Sequence, residues 1–206
     1  MLHFPERLKS ARKMNGYSLQ DLADAMGNII TKQALNKYEA GTMKPDSIVL
    51  SALCKSLNVP TEYFSKETKI ALEEVEFRKL EKLSIKEQEK VKQKTIDFLE
   101  RYFELEEFLG IENNFVNPLK SFKINSINDI EAAAKEVRNA WKLGTDPLYN
   151  IVEMMENNDI KVLQLDAHDA FSGLSTYINK QIPVIVLNNN NEIQLSRKRF
   201  TALHEL

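Results

Sequence analysis

The sequence predicts three parts in order: an all-α N-terminal domain, a long linking helix, and an α+β C-terminal domain. Three observations carry this reading. Over residues 1–66, short apolar faces at helical spacing are punctuated by Gly16, Gly27 and Gly41. From Ser84 an amphipathic pattern runs unbroken to Leu109. Beyond Pro118 the apolar residues collect into three strand-length runs at 160–165, 171–178 and 182–187, with helical stretches on either side. The boundaries fall at 1–66, 67–116 and 117–206, the last joint being marked by Asn113-Asn114 and Asn117-Pro118.

The chain has 206 residues, of which 43% are hydrophobic, enough to bury a core. A single cysteine, Cys54, excludes an internal disulfide and suits a reducing cytoplasm. Cys54 sits in an apolar helical stretch and reads as a small core residue rather than a nucleophile. No run of about 18 apolar residues is present, and the first residues lack the apolar core of a leader, so the expected location is cytoplasmic. Net charge is −2. Residues 1–65 hold 8 Lys/Arg against 6 Asp/Glu, whereas 66–110 and 111–206 each hold 10 against 12. Any contact with nucleic acid is therefore expected in the N-terminal part.

In that part, Phe4, Leu8 and Ala11 share one helical face, and Gly16 suits a left-handed stop. Ser18 with Asp21 forms a capping-box pattern, and Leu22, Ala23 and Met26 face inward. Thr31 can cap a third helix that Gly41 ends. Pro45-Asp46 opens a fourth helix with Val49, Leu50, Leu53 and Leu57 inward, and Thr61 is placed as the cap of a last turn holding Tyr63 and Phe64.

The third helix divides by chemistry. Leu35 and Tyr38 form its apolar flank, while Lys32, Gln33, Asn36 and Lys37 form the other. Gln and Asn can each make paired hydrogen bonds to adenine, and Lys reaches guanine acceptors or phosphate. Thr31 and the helix N-terminus offer donors to a phosphate. Polar outer faces are common on ordinary bundles, so this division alone does not decide the matter. The order of motifs adds to it: Tyr17-Ser-Leu-Gln-Asp-Leu-Ala-Asp-Ala-Met-Gly, Thr31-Lys-Gln-Ala-Leu-Asn-Lys-Tyr-Glu-Ala-Gly, Lys44-Pro-Asp, and Leu53-Cys-Lys-Ser-Leu-Asn-Val-Pro. Together they resemble the XRE family of helix-turn-helix domains, over about 60 residues. The resemblance implies binding of double-stranded DNA through Thr31, Lys32, Gln33, Asn36 and Lys37, with Ser18 and Gln20 toward the phosphates. The chain departs from the family at two places: Leu19 stands where Gln is common, with Gln20 after it, and the turn through Gly27-Asn28-Ile29-Ile30 is longer.

In the middle zone, alternation around Val75 and Phe77 allows a short strand within 70–79. Ser84 and Glu87 then open the long helix, and Gly110 closes it. Val91, Phe98, Tyr102, Leu105 and Leu109 fall near a heptad seam, which Ile96, Leu99 and Phe103 widen. That surface needs a partner, either the chain's own C-terminal domain or a second copy in a homodimer. A dimer suits two DNA half-sites one turn apart.

In the C-terminal zone, Ile130, Ala134, Val137 and Trp141 mark a helix closed by Gly144, and Asp146-Pro147 a further helix start. The final helix begins near Ser196 and breaks off at His204-Glu205-Leu206 inside its pattern, as a shortened chain would. A zinc peptidase helix needs two His four apart, with a Glu beside the first. The order of strand, Gly-Leu-Ser, strand, turn and Arg-Phe-Thr-Ala-Leu-His-Glu-Leu resembles the start of the ImmA/IrrE metallopeptidase-like family, over about 120–206. It implies an incomplete zincin-like domain. In a longer chain His204 would be a zinc ligand, Glu205 the general base, and a repressor-like protein the substrate. As given, the chain lacks the second His and is expected to hold no zinc and to be inactive. His3, Asp166, His168 and Asp169 show no metal spacing.

Three functions follow. The first is a sequence-specific DNA-binding transcriptional regulator. The second is a zinc metallopeptidase of which this chain is a fragment, and the third is an antitoxin or ligand-sensing interaction protein.

Overall fold

The computed structural model describes residues 3–68, 70, 72 and 83–206. The alternation around Val75 and Phe77 lies outside the described residues. Leu72, at its edge, forms one antiparallel bridge with Ile178.

The N-terminal domain is a cluster of four helices: α1 (Phe4–Met14), α2 (Leu19–Ala25), α3 (Lys32–Glu39) and α4 (Ser47–Leu57), followed by a 3-10 turn at Thr61–Ser65. The helix stops fall where the glycines predict. After Asn15, Gly16 takes φ +66 and the Tyr17 amide donates back to the Arg12 carbonyl at 3.0 Å, closing a left-handed cap that a side chain would strain. Helix α4 starts on Asp46, whose Oδ1 accepts from the Val49 amide at 2.8 Å, and stops on left-handed Asn58. One point differs from the sequence reading. Thr61 does not cap the last turn but lies within it, behind Pro60, with its hydroxyl 3.6 Å from Cys54 Sγ. Leu8, Ala11, Leu22, Leu35 and Leu53 are fully buried in one core, where Phe4 meets Tyr38 edge-on at 6.4 Å and Phe64 at 5.2 Å.

Helix α5 (Ile85–Leu109) runs from a Ser84 cap, whose hydroxyl accepts from the Glu87 amide at 3.2 Å, to left-handed Gly110. Its buried side matches the expected apolar face in part, at Val91 and Leu99. Val91, Thr95, Leu99 and Glu106 face inward, while Phe98, Tyr102, Leu105 and Leu109 face solvent. The polar members of the inner stripe are satisfied: Thr95 Oγ1 donates to the Val91 carbonyl at 2.9 Å, and Glu106 accepts from Lys161 Nζ at 2.6 Å. Periodicity of apolar residues thus finds Val91 and Leu99 but not the buried Thr95 and Glu106, and it groups the exposed Phe98, Tyr102, Leu105 and Leu109 with them.

The C-terminal part carries α6 (Ile127–Ala140), α7 (Ile151–Glu156), β1 (Lys161–Leu165), β2 (Gly173–Ile178), β3 (Ile182–Asn188) and α8 (Leu195–Glu205). The sheet order is β1-β3-β2, with β1 parallel and β2 antiparallel to β3. As the central strand, β3 is buried on both faces. Val184 and Val186 pack with Leu99 and Val91 of α5, whereas Ile185 and Leu187 pack with Met155 of α7 and Ala202 of α8. Two helix limits differ from the sequence reading. Helix α6 ends before left-handed Lys142 rather than at Gly144, and it buries Ala133 while Ile130 and Ala134 are exposed. Helix α7 starts on an Asn150 cap, not at Asp146-Pro147. Asn188 organises the loop before β2: its Nδ2 donates to the carbonyls of His168 and Phe171 at 3.1 and 2.8 Å.

Gly173 marks the tightest approach of α8 to the sheet. A Cβ there would lie 2.7 Å from Thr201 Cγ2 and 3.0 Å from the Val186 carbonyl. Gly173→Ala is therefore expected to cost about 1–3 kcal/mol in chemical denaturation, the usual range for overpacking. Adding Thr201→Ser, which deletes the obstructing methyl, should recover part of the loss. A double variant no more stable than Gly173→Ala would contradict this packing.

Candidate nucleic-acid interface

The site is built by α2, its turn and α3. Helix α2 is fixed at its start by a complete capping box: Ser18 Oγ accepts from the Asp21 amide at 3.0 Å, and the Ser18 amide donates to Asp21 Oδ2 at 2.8 Å. These bonds to Ser18, and then the bond from Lys86, hold the Asp21 carboxyl below the usual carboxylate range. The turn that follows uses two left-handed residues, Gly27 (φ +68) and Asn28 (φ +57). Ile30 packs on the core and Ile29 points out. The longer turn thus still delivers α3 against the domain.

Helix α3 is anchored from beneath. Leu35 and Tyr38 are buried, and Glu39 takes a two-pronged bond from Arg12 of α1 at 2.6 and 2.8 Å. Arg12 also donates to the Tyr17 carbonyl at 2.8 Å, so one guanidinium ties α1, the start of α2 and the end of α3. This clamp joins residues 27 positions apart, and no local pattern announces it. Burial, and secondarily Asp46, pushes the Tyr38 phenol up from its ordinary value.

The opposite flank of α3 is open. Lys32, Gln33, Asn36 and Lys37 are all exposed. Thr31 Oγ1 accepts from the Ala34 amide at 3.2 Å, and Leu35 bonds back to the Thr31 carbonyl at 3.1 Å. The amides of Lys32 and Gln33, in the first turn, have no intrahelical acceptor and face the open end. The Thr31 and Ser18 hydroxyls accept as caps and each keeps an O–H to donate. Gln20 is exposed and donates to Asp24 Oδ1 at 2.9 Å, one turn along α2. All seven predicted residues are exposed: Ser18 and Gln20 at the start of α2, and Thr31, Lys32, Gln33, Asn36 and Lys37 at the cap and along α3.

Behind the site, Arg7 joins the domain to α5. Its guanidinium pairs with both oxygens of Glu100 at 2.5 and 3.1 Å and donates to the carbonyls of Lys66 and Glu67 at 2.9 and 2.6 Å. It also lies 5.2 Å from the Tyr63 ring centre. Burial opposes the Arg7 charge, but Glu100 more than offsets this and holds its pKa above the ordinary value. Burial pushes the Tyr63 phenol up to about 12.

At the other end of the chain, His204 is exposed and stacks on Phe200 at 6.2 Å. Glu205 is buried and accepts from Ser175 Oγ at 3.0 Å. Among the described residues, no three His, Cys, Asp or Glu side chains gather as a zinc site requires.

Comparison with known proteins places the N-terminal part. The helix-turn-helix family HTH_3 matches residues 8–64. Over 65 residues the chain is 45% identical to the SPbeta prophage-derived uncharacterized HTH-type transcriptional regulator YonR of Bacillus subtilis (strain 168). The match covers 32% of this chain and 58% of that protein. No solved structure matches. The N-terminal region is therefore a helix-turn-helix domain of the XRE type, and it is followed by helices and a three-stranded sheet. Among the described residues no helix is long and apolar enough to cross a membrane.

Proposed function

We propose that the chain is a sequence-specific transcriptional regulator that reads duplex DNA by seating α3 in the major groove. One observation carries the reading: on α3 Leu35 and Tyr38 are buried while Lys32, Gln33, Asn36 and Lys37 are all exposed. Gln33 and Asn36 stand three apart, so they share one face of the helix and address neighbouring base pairs. Lys32 and Lys37, with the Ser18, Gln20 and Thr31 side chains and the free amides at the start of α3, supply phosphate contacts that set register. In this reading residues 1–66 bind DNA and 67–116 link. Residues 117–206 form the sheet domain against which the linking helix is held.

The test is selection of duplexes from a random library by the purified chain, followed by titration of the winning duplex at fixed salt. Gln33→Ala and Asn36→Ala are each expected to weaken specific binding roughly 5- to 150-fold, the equivalent of about 1–3 kcal/mol per base contact. Non-specific affinity should stay unchanged. Lys32→Ala and Lys37→Ala should weaken all duplexes alike and each reduce the salt slope by about 1. No enriched sequence, or specific binding untouched by Gln33→Ala and Asn36→Ala, would overturn the assignment.

A further inference from the structure

The start of α5 lies against the helix-turn-helix domain, although it falls well beyond the residues 8–64 that match the family. Lys86 Nζ reaches Asp21 Oδ2 at 3.2 Å, and the same oxygen accepts from the Ser18 amide at 2.8 Å. A single carboxylate oxygen thus joins a lysine of the linking helix to the cap of α2, across 65 positions of sequence. Lys90 stands one turn further along α5, on the same side. Both lysine stems lie over Gly16: a Cβ there would lie 3.3 Å from Lys90 Cδ and 3.8 Å from Lys86 Cε. The bare turn between α1 and α2 is their seat. We infer that Lys86 and Lys90 extend the DNA surface beyond the helix-turn-helix domain, contacting phosphates of the duplex beside the start of α2. The inference rests on the DNA-binding reading above and adds to it a helix that the reading treats only as a link.

Three features support this. The first is availability. The Lys86 side chain is 58% exposed, and an ammonium has three donors, of which Asp21 takes one. A surface pair of this kind holds little, so the lysine can exchange its partner for a phosphate. The ion-pair partner of Lys90, Glu87, is 3.9 Å away, at the limit of contact. Of the other acids nearby, Asp21 is held by the Ser18 cap and Glu89 by Lys13 at 3.1 Å. The second is preorganisation. Each stem already rests on the Gly16 turn, so less freedom is lost when its charged head binds. The third is the order of charge along α5. Residues 85–94 hold four lysines and two glutamates, whereas 95–109 hold one arginine and five acids. A helix dipole favours the reverse, acids near the N-terminus and bases near the C-terminus. The observed order suits a DNA backbone at the α2 end, which attracts the lysines and lies away from the acids. Lys94 turns elsewhere, to the Asp166 carbonyl at 3.2 Å, which leaves Lys86 and Lys90 as the pair set beside α2.

The test is a salt titration of the duplex that the wild-type chain selects. Lys86→Ala and Lys90→Ala are each expected to weaken binding roughly 5-fold at physiological salt and to lower the salt slope by about 1, with the selected sequence unchanged. Lys86→Arg should keep the wild-type slope, because a guanidinium also binds phosphate. Asp21→Asn separates phosphate contact from a structural role. It removes the ion pair with Lys86 but leaves the lysine, so the slope should hold. A slope that falls as far in Asp21→Asn as in Lys86→Ala would make the lysine a tie between α5 and α2, and would overturn the inference. So would a slope indifferent to Lys86→Ala combined with Lys90→Ala. In both cases the duplex selected by the wild-type chain leaves the DNA-binding reading standing. Failure to select any duplex overturns that reading and this inference with it.

Discussion

Glu100→Ala is expected to destabilise the chain by about 3–5 kcal/mol, the range for leaving one half of a buried ion pair without its partner. The Arg7 and Glu100 side chains are 3% and 11% exposed, and the pair joins α1 to α5. Removing the carboxylate leaves the guanidinium with two carbonyls, Lys66 and Glu67, and no counter-charge. Burial already opposes the Arg7 charge, so the loss is not absorbed by solvent. Replacing the whole pair should behave differently. Arg7→Met with Glu100→Leu is expected to recover most of the stability, because nothing charged then stays buried. Urea denaturation of the three proteins checks this. A loss below ~1 kcal/mol for Glu100→Ala would place the pair among surface salt bridges and refute its role.

Leu35→Ala is expected to cost about 2–5 kcal/mol through the cavity it leaves beneath α3. Leu35 is fully buried in the N-terminal core, while Gln33 and Asn36, on the flank proposed to read DNA, are exposed. The variant therefore separates support from readout. Its melting temperature should fall, but wherever the domain is still folded its preferred duplex should be unchanged. Thermal denaturation and library selection on the same sample measure both. A changed preference at full foldedness would show that Leu35 shapes the reading flank directly.

Much of the N-terminal domain is legible because its signals are local. Ser18 and Asp21 act three residues apart, Thr31 caps the Ala34 amide, and Gly16 and Gly41 take the left-handed φ that stops a helix. Such features are settled by backbone stereochemistry within one turn, whatever the rest of the chain does. The split of α3 into buried Leu35 and Tyr38 and exposed Gln33 and Asn36 is legible for the same reason. What is not legible depends on distant partners. The Arg12–Glu39 clamp and the Arg7–Glu100 pair join residues 27 and 93 positions apart. On α5, the buried side shares Val91 and Leu99 with the expected apolar face but departs from it elsewhere. Thr95 and Glu106 are buried there too, with Glu106 paired to Lys161 on β1. Hydrophobic periodicity finds Val91 and Leu99 but ranks those two polar residues as outward-facing. Around α6 and α7, Gly144 and Asp146-Pro147 look like helix limits, but the chain uses Lys142 and Asn150 instead. Local propensity admits both choices, and packing of Trp141 and Leu148 beside the sheet decides between them.

The way the N-terminal domain leans on α5 has a consequence for how dissolved ions act on the molecule. Among the described residues, the ionic ties across that junction other than Arg7–Glu100 lie in partial or full contact with water: Lys13–Glu89, Lys66–Glu104 and Lys86–Asp21. At physiological ionic strength mobile ions screen charges beyond about 8 Å, and they weaken exposed pairs well before buried ones. The same ions displace lysines from a polyanion. If α3 grips DNA as proposed, one variable, salt, loosens that grip and slackens the posture of the N-terminal domain together, while the buried Arg7 guanidinium is the sheltered tie among the described residues.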